Sequence, residues 1–183
     1  MYRIRFVAMV IALAALAAPL SVQARTAPPA GLQRESALLE NIRNALVTLP
    51  YYDVFDWLEA EARADGTVVL RGEVVRPTTK ESAEARVRRI EGVERVVNDI
   101  EVLPVSPNDE RIRQATYRAI FDYESPLFRY ATRAVPPIHI IVRNGRVTLK
   151  GVVATKQEKQ LAVIRARSVR GVFEVKDELR VEE

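Results

Sequence analysis

The sequence predicts an α+β fold built from two tandem α-β-β-α-β repeats, each a three-stranded mixed sheet with helices on one face. Three observations predict this fold. Residues 65–102 align without a gap to residues 144–181, so one supersecondary unit occurs twice. Each copy has a turn dipeptide between two apolar segments, which is typical of a hairpin. Each copy then continues into a segment with helical spacing and a last alternating strand.

The first helix of each repeat is indicated by apolar residues at helical spacing. In the first repeat we expect this helix over residues 35–46. In the second repeat Ser106 suits the N-cap, Pro107 the first helical position and Asp109 the capping carboxylate. The first helix of the second repeat therefore has a clearer N-terminal signal than the first helix of the first repeat.

A hairpin follows in each repeat. Asn144-Gly145 separates two apolar segments in the second repeat, and Asp65-Gly66 does so in the first. Both dipeptides suit the left-handed backbone of a tight turn. The first repeat has one extra residue before its turn, because otherwise its apolar side chains would face the wrong side of the sheet.

The hairpin leads into a second helix and a last strand. Thr78 with Glu81, and Thr155 with Glu158, have the spacing of capping boxes. Glycine recurs at three pairs of equivalent positions, and we expect these residues in structural turns. The six turn glycines are Gly66, Gly72, Gly92, Gly145, Gly151 and Gly171.

The N-terminus has the features of a secretory signal peptide over residues 1–24. Arg3 and Arg5 precede an apolar stretch, and a small-x-small motif ends at Ala24. The apolar stretch is short for a bilayer span, which needs about 20 residues. We expect cleavage after Ala24, with a retained membrane anchor as the alternative.

The rest of the chain divides into three parts. Residues 25–34 contain two prolines and a glycine, which predicts a disordered tether. The first domain is expected over residues 35–103 and the second over residues 104–183. Cysteine is absent from the sequence, which excludes disulfides, thiolate metal sites and the lipid acceptor of a lipoprotein. We therefore expect a periplasmic protein that is not a lipoprotein.

Charge divides unevenly between the repeats. Residues 35–102 contain 9 basic and 14 acidic residues, a net charge of −5. Residues 103–183 contain 15 basic and 10 acidic residues, a net charge of +5. A basic domain is attracted to anionic partners and its acidic sibling is not. The whole chain is too weakly basic to indicate a nucleic-acid-binding protein.

Aromatic and basic residues cluster between the first helix and the hairpin of the second repeat. Rings and guanidinium groups together suit a bilayer interface, where arginine pairs with lipid phosphate. The alternative is that these rings pack in the core or between the repeats. The candidate lipid-binding residues are Arg113, Tyr117, Arg118, Phe121, Phe128 and Arg129.

A second aromatic cluster opens the first hairpin. Its acidic neighbours argue against an anionic surface, so we expect its rings to pack, with the other repeat as one possible partner. The cluster comprises Tyr51, Tyr52, Phe55 and Trp57.

The sequence contains no convincing catalytic or metal-binding pattern. Glu59 and Glu61 alternate on one face of a strand, where a solvated pair is the expected state. His139 is the only histidine and cannot form a metal site alone. We therefore predict no metal, no cofactor and no enzymatic activity.

The repeated pattern resembles the BON-domain family. The matching features are V-x-L-x-G-x-V over Val68 to Val74 and Val147 to Val153, followed by G-V-x-x-V from Gly92 and from Gly171. The chain is similar to double-BON proteins of the bacterial periplasm. That resemblance implies a non-enzymatic domain associated with envelope stress and phospholipid, with lipid contacted by the first helix of the second domain.

Two functions remain open from the sequence. The first is a periplasmic envelope protein that binds an anionic phospholipid membrane surface peripherally and supports envelope integrity or the osmotic-stress response. The second is a protein–protein adaptor or chaperone-like scaffold that binds envelope proteins or itself through exposed strand edges.

Overall fold

The computed structural model of the protein describes residues 30–182, with side chains from residue 36 onward. The expected signal peptide and residues 25–29 of the expected tether lie outside the described residues. The first helix begins at Ala30, so residues 30–34 are helical and not part of a disordered tether. The only helix breaker inside this stretch is Gly31, which costs a helix about 1 kcal/mol relative to alanine.

Each repeat forms one domain with the predicted order of elements. The first domain contains α1 (Ala30–Val47), β1 (Trp57–Ala62), β2 (Thr67–Val74), α2 (Pro77–Val87) and β3 (Arg95–Val102). The second contains α3 (Pro107–Ile120), α4 (Phe128–Ala131), β4 (Ile138–Arg143), β5 (Arg146–Val153), α5 (Lys156–Arg167) and β6 (Glu174–Val181). The short helix α4 has no counterpart in the first domain.

The two sheets have the same topology. Their strand orders are β1-β2-β3 and β4-β5-β6, with an antiparallel hairpin followed by a parallel pair. The longer helices pack on one face of each sheet and enclose one core per domain. The predicted fold class is therefore confirmed.

The two hairpin turns differ by one residue. Asn144 and Gly145 both have positive φ, at 52° and 76°, as a two-residue hairpin turn requires. In the first domain the amide of Arg63 donates to the carbonyl of Thr67 at 2.8 Å, which closes a three-residue loop with Gly66 at φ 77°. The predicted extra residue is confirmed.

Gly72 and Gly151 are not turn residues, contrary to the sequence prediction. They lie inside β2 and β5, with φ of 125° and 120°. A Cβ on Gly151 would lie 1.9 Å from the carbonyl oxygen of Pro137, and one on Gly72 would lie 1.9 Å from that of Trp57. Glycine is needed there because the neighbouring edge strand starts against the backbone.

One of the two predicted capping boxes forms. Thr155 accepts from the amide of Glu158, and the Glu158 carboxylate accepts from the amide of Thr155, each at 3.2 Å. In the first domain α2 begins at Pro77 with Arg76 at the N-cap, so Thr78 lies inside the helix and the prediction is wrong. The ungapped alignment pairs Thr155 with Arg76, which has no capping side chain.

The faces of the two sheets that carry no helices meet each other. The Trp57 and His139 rings are 5.1 Å apart between centroids, and the Lys150 ammonium lies 3.1 Å from the Glu73 carboxylate. Val69 and Ile141, on the same two faces, are buried although they belong to neither domain core. The domains therefore dock through their sheets.

The segment before β1 crosses into the second domain. Val54 is 6% exposed and packs in the core of the second domain, not of its own. Its carbonyl accepts from the amide of Ile140 at 2.8 Å. Phe55 follows it and packs edge-on against Tyr117, with ring centroids 6.2 Å apart. Three of the four rings of the second aromatic cluster, Tyr52, Phe55 and Trp57, therefore pack against the other repeat, whereas Tyr51 is exposed.

Candidate functional site

The start of α3 is tied to the β4–β5 turn. The Ser106 hydroxyl caps the helix by accepting from the amide of Asp109. The Asp109 carboxylate is buried and accepts from the amides of Asn144 and Gly145, both at 2.8 Å. These bonds bring the α3 N-terminus, the turn and the loop before β6 to one end of the domain.

Two of the six candidate lipid-binding residues are buried. Arg113 is 3% exposed, and its guanidinium donates to the Val142 carbonyl at 3.0 Å and to the Glu110 carboxylate at 3.2 Å. Phe121 is 5% exposed and belongs to the core. Both residues stabilise the fold, so their assignment to a lipid-binding surface is corrected.

The two other aromatic candidates are half-buried. Tyr117 lies against Phe121, with ring centroids 5.0 Å apart, and against Phe55 of the first domain. Phe128 packs edge-on against Tyr123 at 5.2 Å. Tyr123 is the exposed member of this group, and acidic residues stand on both sides of it in the sequence.

The two remaining arginine candidates are exposed but already engaged. The Arg118 Nε donates to the Gln114 carbonyl on the same helix. The Arg129 guanidinium lies 2.6 Å from the Glu158 carboxylate and 3.1 Å from the Tyr130 hydroxyl. The six candidates therefore do not form one continuous exposed surface.

A different exposed aromatic residue lies at the turn end of the second domain. Phe173 is 82% exposed, and its amide donates to the Gly145 carbonyl at 2.9 Å. Arg167 and Phe173 line one shallow depression. A guanidinium nitrogen of Arg111 lies 3.7 Å from where a Cβ on Gly171 would be. We call this surface the second tip; it comprises Arg111, Ile164, Arg167, Arg170 and Phe173.

The second tip carries uncompensated positive charge. Arg167 and Arg170 form no ion pair with any residue in the described part of the chain. The nearest carboxylate in sequence, that of Glu174, pairs with Arg146 at 3.2 Å. Ile164 adds an exposed aliphatic side chain one helical turn before Arg167.

The corresponding end of the first domain carries glutamate at two of these positions. In the ungapped alignment Phe173 corresponds to Glu94, and Arg170 corresponds to Glu91. The structure confirms this equivalence: a Cβ on Gly145 would meet the Phe173 ring at 2.5 Å, and one on Gly66 would meet the Glu94 side chain at 2.7 Å. The two ends therefore differ in the residues at these two positions, although residues 86–95 and residues 165–174 each have a net charge of +2.

This surface can be located from the differences between the two aligned repeats. The residues that the two copies share predict the fold, whereas Ile164, Arg170 and Phe173 of the second tip are positions where the copies differ. An aromatic residue that stands opposite a glutamate in an otherwise similar turn is the sequence difference that points to Phe173.

The domain junction contains two buried titratable groups. Burial raises the pKa of Asp56 to about 6, although its carboxylate accepts from the Val75 amide at 2.7 Å. Burial lowers the pKa of His139 to about 4. The His139 ring lies between Tyr52 and Trp57, at centroid distances of 5.6 and 5.1 Å. The His139 ring thus packs against the first domain, and Asp56 fixes the segment before β1 to the residue that follows β2.

The proposed solvated state of the strand carboxylates agrees with the structure. Glu59 and Glu61 are exposed, and the Arg71 guanidinium lies 2.8 Å from the Glu61 carboxylate. That hydrogen bond, followed by the charge of Arg71, lowers the pKa of Glu61. Within residues 30–182 no group of three or more histidine or acidic side chains is arranged to hold a metal ion.

None of the helices in residues 30–182 combines the length and apolar character that a membrane span requires. Any membrane contact made by these residues would use the folded surface.

Comparison with known proteins gives one informative match. The BON domain family matches residues 36–104 and 108–183. No curated protein matches the chain. Two solved structures of CdsD, a structural protein of the type III secretion system of Chlamydia trachomatis, have 12% identity and a TM-score of 0.30. They cover 80% of this chain, and this chain covers 98% and 94% of theirs; a score that low supports no functional argument. With both repeats matched over nearly the whole described structure, the chain belongs to the BON-domain family.

Proposed function

We propose that this protein is a non-enzymatic periplasmic protein that binds anionic phospholipid surfaces through the second tip. BON domains are in general associated with phospholipid binding and osmotic stress. The observation that carries the proposal is the exposure of Phe173 among arginines that have no ion-pair partner in the described structure.

The chemistry of the second tip suits a membrane interface. An aromatic ring prefers the depth of the lipid headgroups, and guanidinium groups pair with phosphate oxygens. A basic residue near an anionic surface contributes roughly 1 kcal/mol. Three arginines and one ring therefore give weak, peripheral binding that decreases with salt. This is the behaviour of a protein that samples the membrane without being anchored in it.

The α3 region supports this function less well. Its buried members cannot reach a membrane without unfolding the domain, and its exposed Tyr123 stands between Asp122 and Glu124. Carboxylates beside the ring would be repelled by anionic headgroups. The second tip is therefore the better candidate, although both surfaces belong to the basic domain.

The test is vesicle co-sedimentation of residues 25–183, the expected mature chain. Vesicles contain phosphatidylglycerol or only neutral phosphatidylcholine, each at low and high salt. We expect binding only to the anionic vesicles and mainly at low salt. Phe173→Ala and Arg170→Glu should each weaken binding about fivefold or more, corresponding to about 1 kcal/mol.

Tyr123→Ala is the matched control, because Tyr123 and Phe173 are both 82% exposed. It should leave vesicle binding unchanged. Absence of sedimentation at every salt concentration would reject lipid binding altogether. Loss of binding in Tyr123→Ala, with Phe173→Ala unaffected, would return the site to the α3 region.

A further inference from the structure

The loop that follows α3 presents an exposed aromatic ring between two carboxylates. Tyr123 is 82% exposed, and its neighbours Asp122 and Glu124 are exposed as well. Neither carboxylate forms an ion pair with any residue in the described part of the chain. The Tyr123 ring rests edge-on against Phe128, which holds it in place while most of its surface stays free. We call residues 122–124 the acidic loop.

The basic residues near the acidic loop make their contacts elsewhere. The Arg118 Nε donates to the Gln114 carbonyl at 3.2 Å, one turn back along α3. The Arg129 guanidinium lies 2.6 Å from the Glu158 carboxylate. The charge of the acidic loop is therefore left without an ion-pair partner among residues 30–182.

The acidic loop and the second tip lie at opposite ends of α3. The helix begins beside the β4–β5 turn, where the Asp109 carboxylate accepts from the amides of Asn144 and Gly145. It ends at Ile120, shortly before the acidic loop. The 14 residues of α3 span about 21 Å. Surfaces separated by that distance do not contact each other within one molecule.

The two surfaces are complementary in charge and in shape. At the second tip Phe173 is 82% exposed, near Arg167 and Arg170, which have no ion-pair partner in the described structure. A depression of about 420 Å³, lined by Arg167 and Phe173, leaves room there for a side chain of a partner. Guanidinium groups pair with carboxylates and stack on aromatic faces. The acidic loop supplies two carboxylates and one such face.

We propose that the second tip of one molecule binds the acidic loop of another copy of this protein. The contact joins two different surfaces, so a bound pair keeps one acidic loop and one second tip free, and further copies add head to tail. This inference goes beyond the proposed function, because it does not require lipid binding. A second tip that holds an acidic loop is not available to a membrane.

The strength of the contact follows from its exposure. Exposed ion pairs contribute little each and are screened by salt. We therefore expect reversible association that is weak, that increases with protein concentration and that is strongest at low salt.

The experiment is analytical ultracentrifugation of residues 25–183 from micromolar to millimolar concentration, at low and high salt. The weight-average mass should rise with concentration at low salt and return to the monomer value at high salt. Two charge-reversed variants are compared with the wild type. Asp122→Arg with Glu124→Arg reverses the loop, and Arg167→Glu with Arg170→Glu reverses the tip. Each variant should associate at least about tenfold more weakly, because like charges then face each other.

An equimolar mixture of the two variants tests the pairing itself. One variant has a basic loop and the other has an acidic tip, so the mixture should recover the association that neither variant shows alone. Mixing would not repair a general structural effect of the substitutions. The mixture therefore keeps the test decisive whatever each variant does by itself.

The loop-reversed variant also separates this inference from lipid binding. It keeps the second tip and should still co-sediment with phosphatidylglycerol vesicles. A wild type that stays monomeric at millimolar concentration and low salt would overturn the proposal. Variants that associate as the wild type does, or a mixture that stays monomeric, would overturn it as well.

Discussion

The outer edges of β1 and β4 are equivalent by register, yet they differ in what pairs with them. The Val54 carbonyl of the first domain accepts from the outward amide of Ile140 in β4, and the Val54 side chain lies in the core of the second domain. No residue among 30–182 accepts from the outward amide of Ala60, the equivalent residue of β1. The two tips differ as clearly, with Phe173 and Arg170 in one domain and Glu94 and Glu91 in the other. Duplication has preserved the scaffold, and two of the places where the domains differ are the outer edge of the first strand and the turn before the last strand.

The largest expected effect concerns the Asp56 carboxylate, which holds the segment before β1 by accepting from the amides of Asp53 and Val75. Asp56 has no counterpart in the second domain, where Pro136 stands. Its pKa is raised from 3.8 to about 6, so the stability gained by protonating it is complete below pH 3.8 and is lost as the pH rises through 6. Asp56→Asn should therefore lose about 2 kcal/mol relative to the wild type when the pH falls from 6.5 to 4.

The contribution of His139, on the other side of the domain junction, changes with pH in the opposite direction. Its pKa is lowered from 6.5 to about 4, so its contribution is complete above pH 6.5 and is lost as the pH falls through 4. His139→Asn should gain stability relative to the wild type over the same interval. Urea unfolding at several pH values measures both variants. Parallel curves for all three proteins would contradict the assignment.

The next effect tests whether the second domain depends on the first. Val54→Ala should destabilise the second domain by about 2 kcal/mol, because it leaves a cavity in that core. Hydrogen exchange should show faster opening of β4 and β5, with β2 and β3 less affected. The counterpart in the second domain, Ala134, is exposed, and Ala134→Val should change stability by less than about 0.5 kcal/mol. Loss of protection confined to the first domain would refute this dependence.

The smallest expected effect concerns Glu91 and Glu94, which occupy the places of Arg170 and Phe173 in the first domain. The double variant Glu91→Arg with Glu94→Phe gives the first domain the residues of the second tip. Its affinity for phosphatidylglycerol vesicles should rise about fivefold, or about 1 kcal/mol. Glu91→Gln with Glu94→Gln, which removes the charge without adding a ring or an arginine, should give a smaller gain. Equal gains would show that neither the aromatic ring nor the added arginine contributes.

Local patterns were sufficient for the fold. The hairpins, the α3 cap and the extra residue before the first turn depend on residues close in sequence, and the structure confirms them. Gly72 and Gly151 were misassigned because their need for glycine comes from the start of the neighbouring edge strand, outside the local sequence. Likewise, the sequence predicts the N-cap of α2 at Thr78, two residues after the observed N-cap at Arg76.

The functional surface was harder to predict because helical spacing does not reveal which side of a helix is covered. Arg113, Tyr117 and Phe121 share a side of α3, but that side faces β4, Phe55 and the core. Val54, which completes that covering, lies far away in the sequence. Phe173 could have been found from the differences between the repeats, since Glu94 occupies the same place.

The burial of Val54 in the core of the second domain also has a consequence for biosynthesis. Synthesis runs from the N-terminus, so Val54 and Phe55 leave the ribosome long before Ile140 and β4 exist to receive them. Until then the first domain carries an apolar segment for which it has no place of its own, and a chain stopped at the domain boundary would keep it permanently. A first half without the second therefore exposes apolar surface, which favours aggregation.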